Sequence, residues 1–161
     1  MIETLITLDK QLFFLINQAG NEFWDPIMLF ISYKFSWIPL YAFLIYSIIK
    51  QKESIWIIVL IIALITIVDQ SSVHLFKNTF QRLRPCYFLN DVRLVAENCG
   101  GQFSFVSSHA SNSFALIIFI GNVIKNKKLF IILFIWAAIV SYSRIYLGVH
   151  YPMDVICGML W

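Results

Sequence analysis

Residues 54–76 read SIWIIVLIIALITIVDQSSVHLF, a nearly unbroken apolar run whose one charged group is Asp69. A helix needs about 20 such residues to cross the hydrocarbon core of a bilayer. An apolar run this long has no place in an ordinary water-soluble domain. Outward from it, similar segments cover about Ile27–Ile49, Phe105–Ile124 and Leu129–Leu147. Another opens near Pro152 and is still apolar at Trp161. It is too short to span, which predicts a truncated last helix. Lys34 and Pro39 predict a break in the first of these segments. The chain is 60% hydrophobic and only 13% charged, whereas soluble domains carry roughly 25% charged residues. The reading is a single all-α domain over residues 1–161, a polytopic membrane helix bundle. A net charge of +3 gives no footprint for a nucleic acid partner.

The N-terminus lacks the basic cluster and cleavage site of a signal peptide. Residues 3–18 instead alternate with a helical period. Leu5, Leu8, Leu12, Leu15 and Ile16 share one face, with Asp9 as the exception on it; Glu3, Thr7, Lys10, Gln11 and Gln18 share the other. This pattern predicts a helix lying in the membrane interface on its leucine face. Trp24, Trp37, Trp56 and Trp136 are expected to face lipid or anchor at the interface.

Three polar islands interrupt the apolar segments. They are Lys77–Pro85 (KNTFQRLRP), Ser107–His109 (SSH) and Ser143–Asp154 (SRIYLGVHYPMD). Ionisable groups inside a membrane chain are costly and point to function. Counting spans places all three islands on one side of the bilayer. The opposite loops hold Lys50, Lys52, Lys125, Lys127 and Lys128. Once the cations given chemical work are set aside, only Arg82 and Arg93 remain on the island side. The lysine loops are therefore assigned to the cytoplasm and the islands to the outer face. Cys86 and Cys99 lie in the long loop between islands, where an oxidising compartment would let them pair; two free thiols are the alternative. Cys157 falls in an apolar segment and reads as packing.

The islands suit phosphoryl transfer. Lys77, Arg84 and Arg144 can surround phosphate oxygens. Ser107, Ser108 and His109 open a helix whose backbone N–H groups attract anions. Ser107 can donate its hydroxyl, cap the helix, or do both. Asp154 follows His150 by one helical turn and can orient its imidazole as a nucleophile. His109 is then the general acid and base. Gln70, His74 and Lys77 fall on one helix face by i, i+4, i+7 spacing, where His74 could support Lys77, with packing or an interhelical hydrogen bond as the favoured role. Asp69 is expected to pair with a neighbouring helix, and Arg82 to meet a headgroup or water.

These residues resemble the signature of the type 2 phosphatidic acid phosphatase superfamily, which includes the vanadium haloperoxidases. Lys77, Arg84 and Pro85 match its first motif; Ser143, Arg144, His150 and Asp154 match its third. Ser107 and His109 match the second, but Val106 stands where the pattern has proline and Ser108 where it has glycine. A serine there would narrow the pocket. The resemblance implies a six-helix core with the N-terminal helix counted first. It also implies a phosphatase with no metal and no cofactor, and a phosphohistidine formed on His150. Lys77, Arg84, Ser107, the Ser108 backbone, His109 and Arg144 would hold phosphate.

The expected function is a lipid phosphatase or diphosphatase of a bacterial cytoplasmic membrane, with a bilayer-borne lipid phosphate as its partner. Undecaprenyl diphosphate is the first choice. Lipid A, phosphatidylglycerophosphate and phosphatidic acid are the alternatives, and no residue reads headgroup or tail. A soluble haloperoxidase is excluded by the apolar segments. A non-catalytic anion-binding protein or transporter is the rival from another class, and an inactive homologue with an assembly role is another.

Overall fold

The computed structural model describes residues 2–51 and 54–161. Lys52, one of the lysines in the sidedness argument, lies outside the described residues. The described chain is helical, with an isolated antiparallel bridge between Leu83 and Phe103. The helices are α1 (Ile2–Gln18), α2 (Asp25–Ser32), α3 (Ile38–Lys50), α4 (Trp56–Phe80), α5 (Ser108–Ile124), α6 (Lys127–Tyr146) and α7 (Pro152–Leu160).

By length and composition, α4 and α6 can each cross a membrane. The predicted break in the first segment falls at Tyr33, whose extended backbone joins α2 to a 3-10 turn at Lys34–Trp37. The two halves bend by 70°, and together they make a third candidate span. Pro26 and Pro39 both sit in first turns, where the missing N–H costs no hydrogen bond. The third apolar segment is a helix only from Ser108, and at 17 residues it is shorter than a full span. The fold is thus an all-α, membrane-spanning bundle.

At the centre, α5 packs on α4, α6 and α7, while α2 and α1 close on α6. The core comprises Leu44, Ile48, Phe114, Ile117, Ile120, Leu133, Trp136 and Val140. Trp136 is therefore inside the bundle rather than toward lipid. It is 8% exposed, and its ring meets Trp37 edge-on at 5.5 Å. The lipid-facing expectation fails there because Trp136 lies on the inward face of α6, while Ile132 and Ile135 take the outer one.

The leucine face of α1 is left uncovered by the bundle, as a helix resting on lipid requires, while a narrow stripe that includes Asp9 packs inward. Leu5, Leu8, Leu12 and Leu15 are exposed, while Asp9, Phe13 and Asn17 are buried. In a bilayer the apolar face can turn to lipid, and polar groups are what helices share. Asn17 donates to the carbonyls of Tyr146 (2.9 Å) and Arg93 (2.8 Å) and accepts from the Arg93 N–H (2.9 Å). These bonds fasten α1 to the end of α6 and to the long loop.

Candidate active site

Each island is held by a local device. The last turns of α4 widen into a π-helical segment at Ser72–Lys77. This changes the face that Lys77 occupies. Gln70 and His74 are exposed, whereas Lys77 is half-buried and donates to Ser108 Oγ at 2.9 Å. The shared face expected for Gln70, His74 and Lys77 is lost because a π turn holds more residues than an α turn. Gln81 ends the helix in the left-handed region (φ 47°).

The loop then folds back on itself. Arg84 N–H donates to Gln102 O (3.1 Å) and Ser104 N–H to Arg82 O (2.8 Å). Cys86 and Cys99 are joined as a disulfide, with Cα atoms 6.2 Å apart. This pairing sets Arg84 beside the third island. Its guanidinium lies 3.4 Å from His150 Nε2 and donates to Val149 O at 3.3 Å.

The third island turns at Gly148, in the left-handed region (φ 84°). A side chain there would meet the Arg93 carbonyl at 3.0 Å. The turn delivers His150, 1% exposed, to the start of α7. Gly158 lets α7 lie against the second island, since a Cβ there would stand 2.7 Å from Ser107 O. Ser107 N–H in turn donates to Asp154 O at 2.9 Å.

Ser107 stands at the N-cap of α5, yet its side chain makes no capping bond. Its hydroxyl is buried without a partner, as are Arg84 Nε and Arg144 Nε. Buried donors in this state cost stability unless an acceptor meets them. Ser108 does not simply narrow the pocket, because its hydroxyl accepts from Lys77. His109 and Ser108 line an apolar cavity of about 660 Å³ bounded by α2, α3, α4, α5 and α6. On the other side, Arg84 and Arg144 line a more polar cavity of about 510 Å³ with Tyr33, Ser36, Glu97 and Asn98. Ser32 borders both cavities and accepts from Arg144.

Burial lowers the pKa of His150 well below its ordinary value, and the charges of Arg84, Arg144 and Lys77 add to this. Its imidazole is therefore neutral, with a lone pair available. The Asp154 contact is looser than the spacing suggests. Asp154 Oδ2 lies 3.6 Å from His150 Nδ1, beyond hydrogen-bonding range. That oxygen accepts from Tyr151 N–H at 2.9 Å, and Oδ1 accepts from Arg82 at 2.7 Å.

Arg82, expected at a headgroup or in water, is central instead. It bridges Asp154 to Asp9 of α1 (2.5 Å) and stacks 3.9 Å above the Tyr151 ring. Asp9 also accepts from Met153 N–H at 2.8 Å. The one signal for this link was Asp9 on an otherwise apolar face; Ser32 left no signal at all. Among the described residues, no group of three or more His, Cys, Asp or Glu side chains is placed to hold a metal ion.

The three islands thus meet through the Lys77–Ser108, Arg84–His150 and Ser107–Asp154 contacts. The model of the PAP2 superfamily matches residues 54–161. The chain belongs to the PAP2 superfamily. This PAP2 protein is 36% identical over 167 residues to the lipid A 4′-phosphatase of Bacteroides thetaiotaomicron, covering 99% of the chain and 74% of that protein. It is 35% identical over 165 residues to the undecaprenyl-diphosphatase of Sulfolobus acidocaldarius, covering 98% and 75%. The crystal structure of Aquifex aeolicus LpxE superposes with a TM-score of 0.74 at 30% identity, covering 95% of this chain and 88% of that one. A PAP2-type phosphatidylglycerolphosphate phosphatase from Bacillus subtilis shares the fold, with a TM-score of 0.74 at 24% identity, over 97% and 79%. The PAP2 protein is a membrane lipid phosphatase.

Proposed function

We propose that the chain removes phosphate from a glycolipid of the lipid A class through a phosphohistidine on His150. Two relatives named lipid A 4′-phosphatase, at 36% and 33% identity, support this class over undecaprenyl diphosphate, the first choice from sequence. One relative at 35% identity supports the polyprenyl reading. The observation that carries the mechanism is the set of buried, unpartnered donors on Ser107, Arg84 and Arg144 beside a neutral His150. A phosphate oxyanion would satisfy them.

In this reading His150 Nε2 attacks phosphorus as the bond to the lipid oxygen breaks, and His109 gives that oxygen its proton. Water then attacks the phosphohistidine, the P–N bond breaks, and His109 recovers a proton from the water. Lipid alcohol and inorganic phosphate leave. Lys77, Arg84, Arg144, Ser107 and the Ser108 N–H hold the equatorial oxygens. Asp154 stabilises positive charge on the imidazole across the 3.6 Å gap. The lipid chains occupy the apolar cavity, and the headgroup the polar one. These charges leave no step that requires a metal. A six-helix core with α1 as its first member, and a site on the outer membrane face, complete the proposal.

The test is phosphate release by purified protein from lipid A, undecaprenyl diphosphate, phosphatidylglycerophosphate and phosphatidic acid, with and without chelator. The expected result is preferential release from lipid A, insensitive to chelation. A polyprenyl preference would reinstate the first choice, and loss on chelation would refute the mechanism. Rapid quench should trap phosphohistidine in wild type and none in His150→Ala. Binding without release or trapping would favour the non-catalytic reading.

A further inference from the structure

We infer that Asp69 and Asn112 form a hydrogen-bond-accepting subsite in the apolar cavity, which selects lipid phosphates carrying a hydroxyl or amide N–H close to the phosphate. The inference rests on the lipid phosphatase reading above and narrows its substrate.

Three polar pairs join α4 to α5. They are Lys77–Ser108 (2.9 Å), Ser72–Ser111 (3.1 Å) and Asp69–Asn112 (3.2 Å). The serine pair is sealed, with Ser72 at 0% and Ser111 at 1% exposure. It serves only the helix contact. Asp69 and Asn112 instead line the 660 Å³ cavity, together with Ser108 and His109. Asn112 lies one helical turn beyond His109 on α5, so the pair stands next to the reacting end of the cavity.

The chemistry of the unused atoms defines the ligand. Asn112 Nδ2 donates to Asp69 Oδ1, and Asn112 Oδ1 is buried with no donor. A carboxylate keeps acceptor capacity beyond that single bond. The spare capacity of the pair on these oxygens is therefore accepting. A phosphate or ester oxygen cannot satisfy it, and a carboxylate repels phosphate. A hydroxyl or amide N–H satisfies it, and in surroundings of Ile61, Ile65, Leu116 and Val140 the match counts strongly. Polyprenyl chains and diacylglycerol esters offer no such donor. Lipids with N-acyl or hydroxyl groups beside the phosphate do.

Ceramide 1-phosphate and phosphatidic acid of matched chain length test this, because only the first has an amide N–H and a hydroxyl. The measurement is the ratio of their kcat/KM values in mixed micelles. Wild type should favour ceramide 1-phosphate by about tenfold or more. Asn112→Leu and the isosteric Asp69→Asn should bring the ratio toward one. Equal rates in wild type would overturn the subsite. So would variants that slow both lipids in the same proportion, the result expected of a helix clamp alone. Cleavage of neither lipid while lipid A is still hydrolysed would overturn the subsite alone, and failure on all three lipids would count against the lipid phosphatase reading instead.

Discussion

At the scale of single residues, the two histidines separate by environment. His150 is almost fully enclosed and kept neutral, while His109 opens onto the apolar cavity. His150→Ala should abolish turnover, whereas His109→Gln should slow it by about 10²–10⁴-fold. A substrate with a good leaving group, such as p-nitrophenyl phosphate, should recover much of the loss in His109→Gln and none in His150→Ala; equal recovery would contradict the division of roles. The depressed His150 pKa also links stability to pH. The unfolded state takes up a proton on this residue near pH 6.5, while the folded state does not until lower pH. Stability should therefore fall as pH drops below about 6.5, and His150→Gln should flatten that limb of the thermal unfolding profile. The residues with assigned chemistry were legible from spacing. Arg82 was not, because its meaning depends on Asp9, far away in the chain and close only after folding.

Among the elements, α1 is the one whose role changed most. Its leucine face stays free for lipid as the sequence pattern suggests, and its inner stripe of Asp9, Phe13 and Asn17 also enters the bundle. Asp9 holds Arg82, and Arg82 holds the carboxylate beside His150. Asp9→Ala removes one side of this bridge and leaves Arg82 paired with Asp154, at a cost of about 1.5–3 kcal/mol. Thermal unfolding in detergent should show this loss, and kcat should fall more than KM rises, because the pocket donors are untouched. Asp9→Glu, which restores the charge, should recover part of both; no recovery would argue that α1 acts through packing alone. The π segment of α4 makes a similar point. A regular period put Lys77 with His74, and one wider turn sent it to Ser108 instead.

For the molecule as a whole, the helix ends bring the three islands into contact beside an apolar cavity and a polar one that share Ser32. A lipid phosphate has the same division, and the sidedness proposal rests on the lysines in the opposite loops. In a Cys157→Ser background, an impermeant maleimide should label Asn98→Cys in intact cells and leave Lys127→Cys unlabelled; the reverse pattern would place the site inside. The sequence by itself determined the helical membrane class, because apolar length is a local property set against bilayer thickness. It also picked out the motif residues that the proposal assigns to phosphate, because their spacing is local in the chain. The tertiary structure alone decided which face of α1 turns inward, the Asp9–Arg82–Asp154 bridge and the link between Arg144 and Ser32. Only folding brings those charges together, and in a bilayer an apolar face does not reveal which side meets protein.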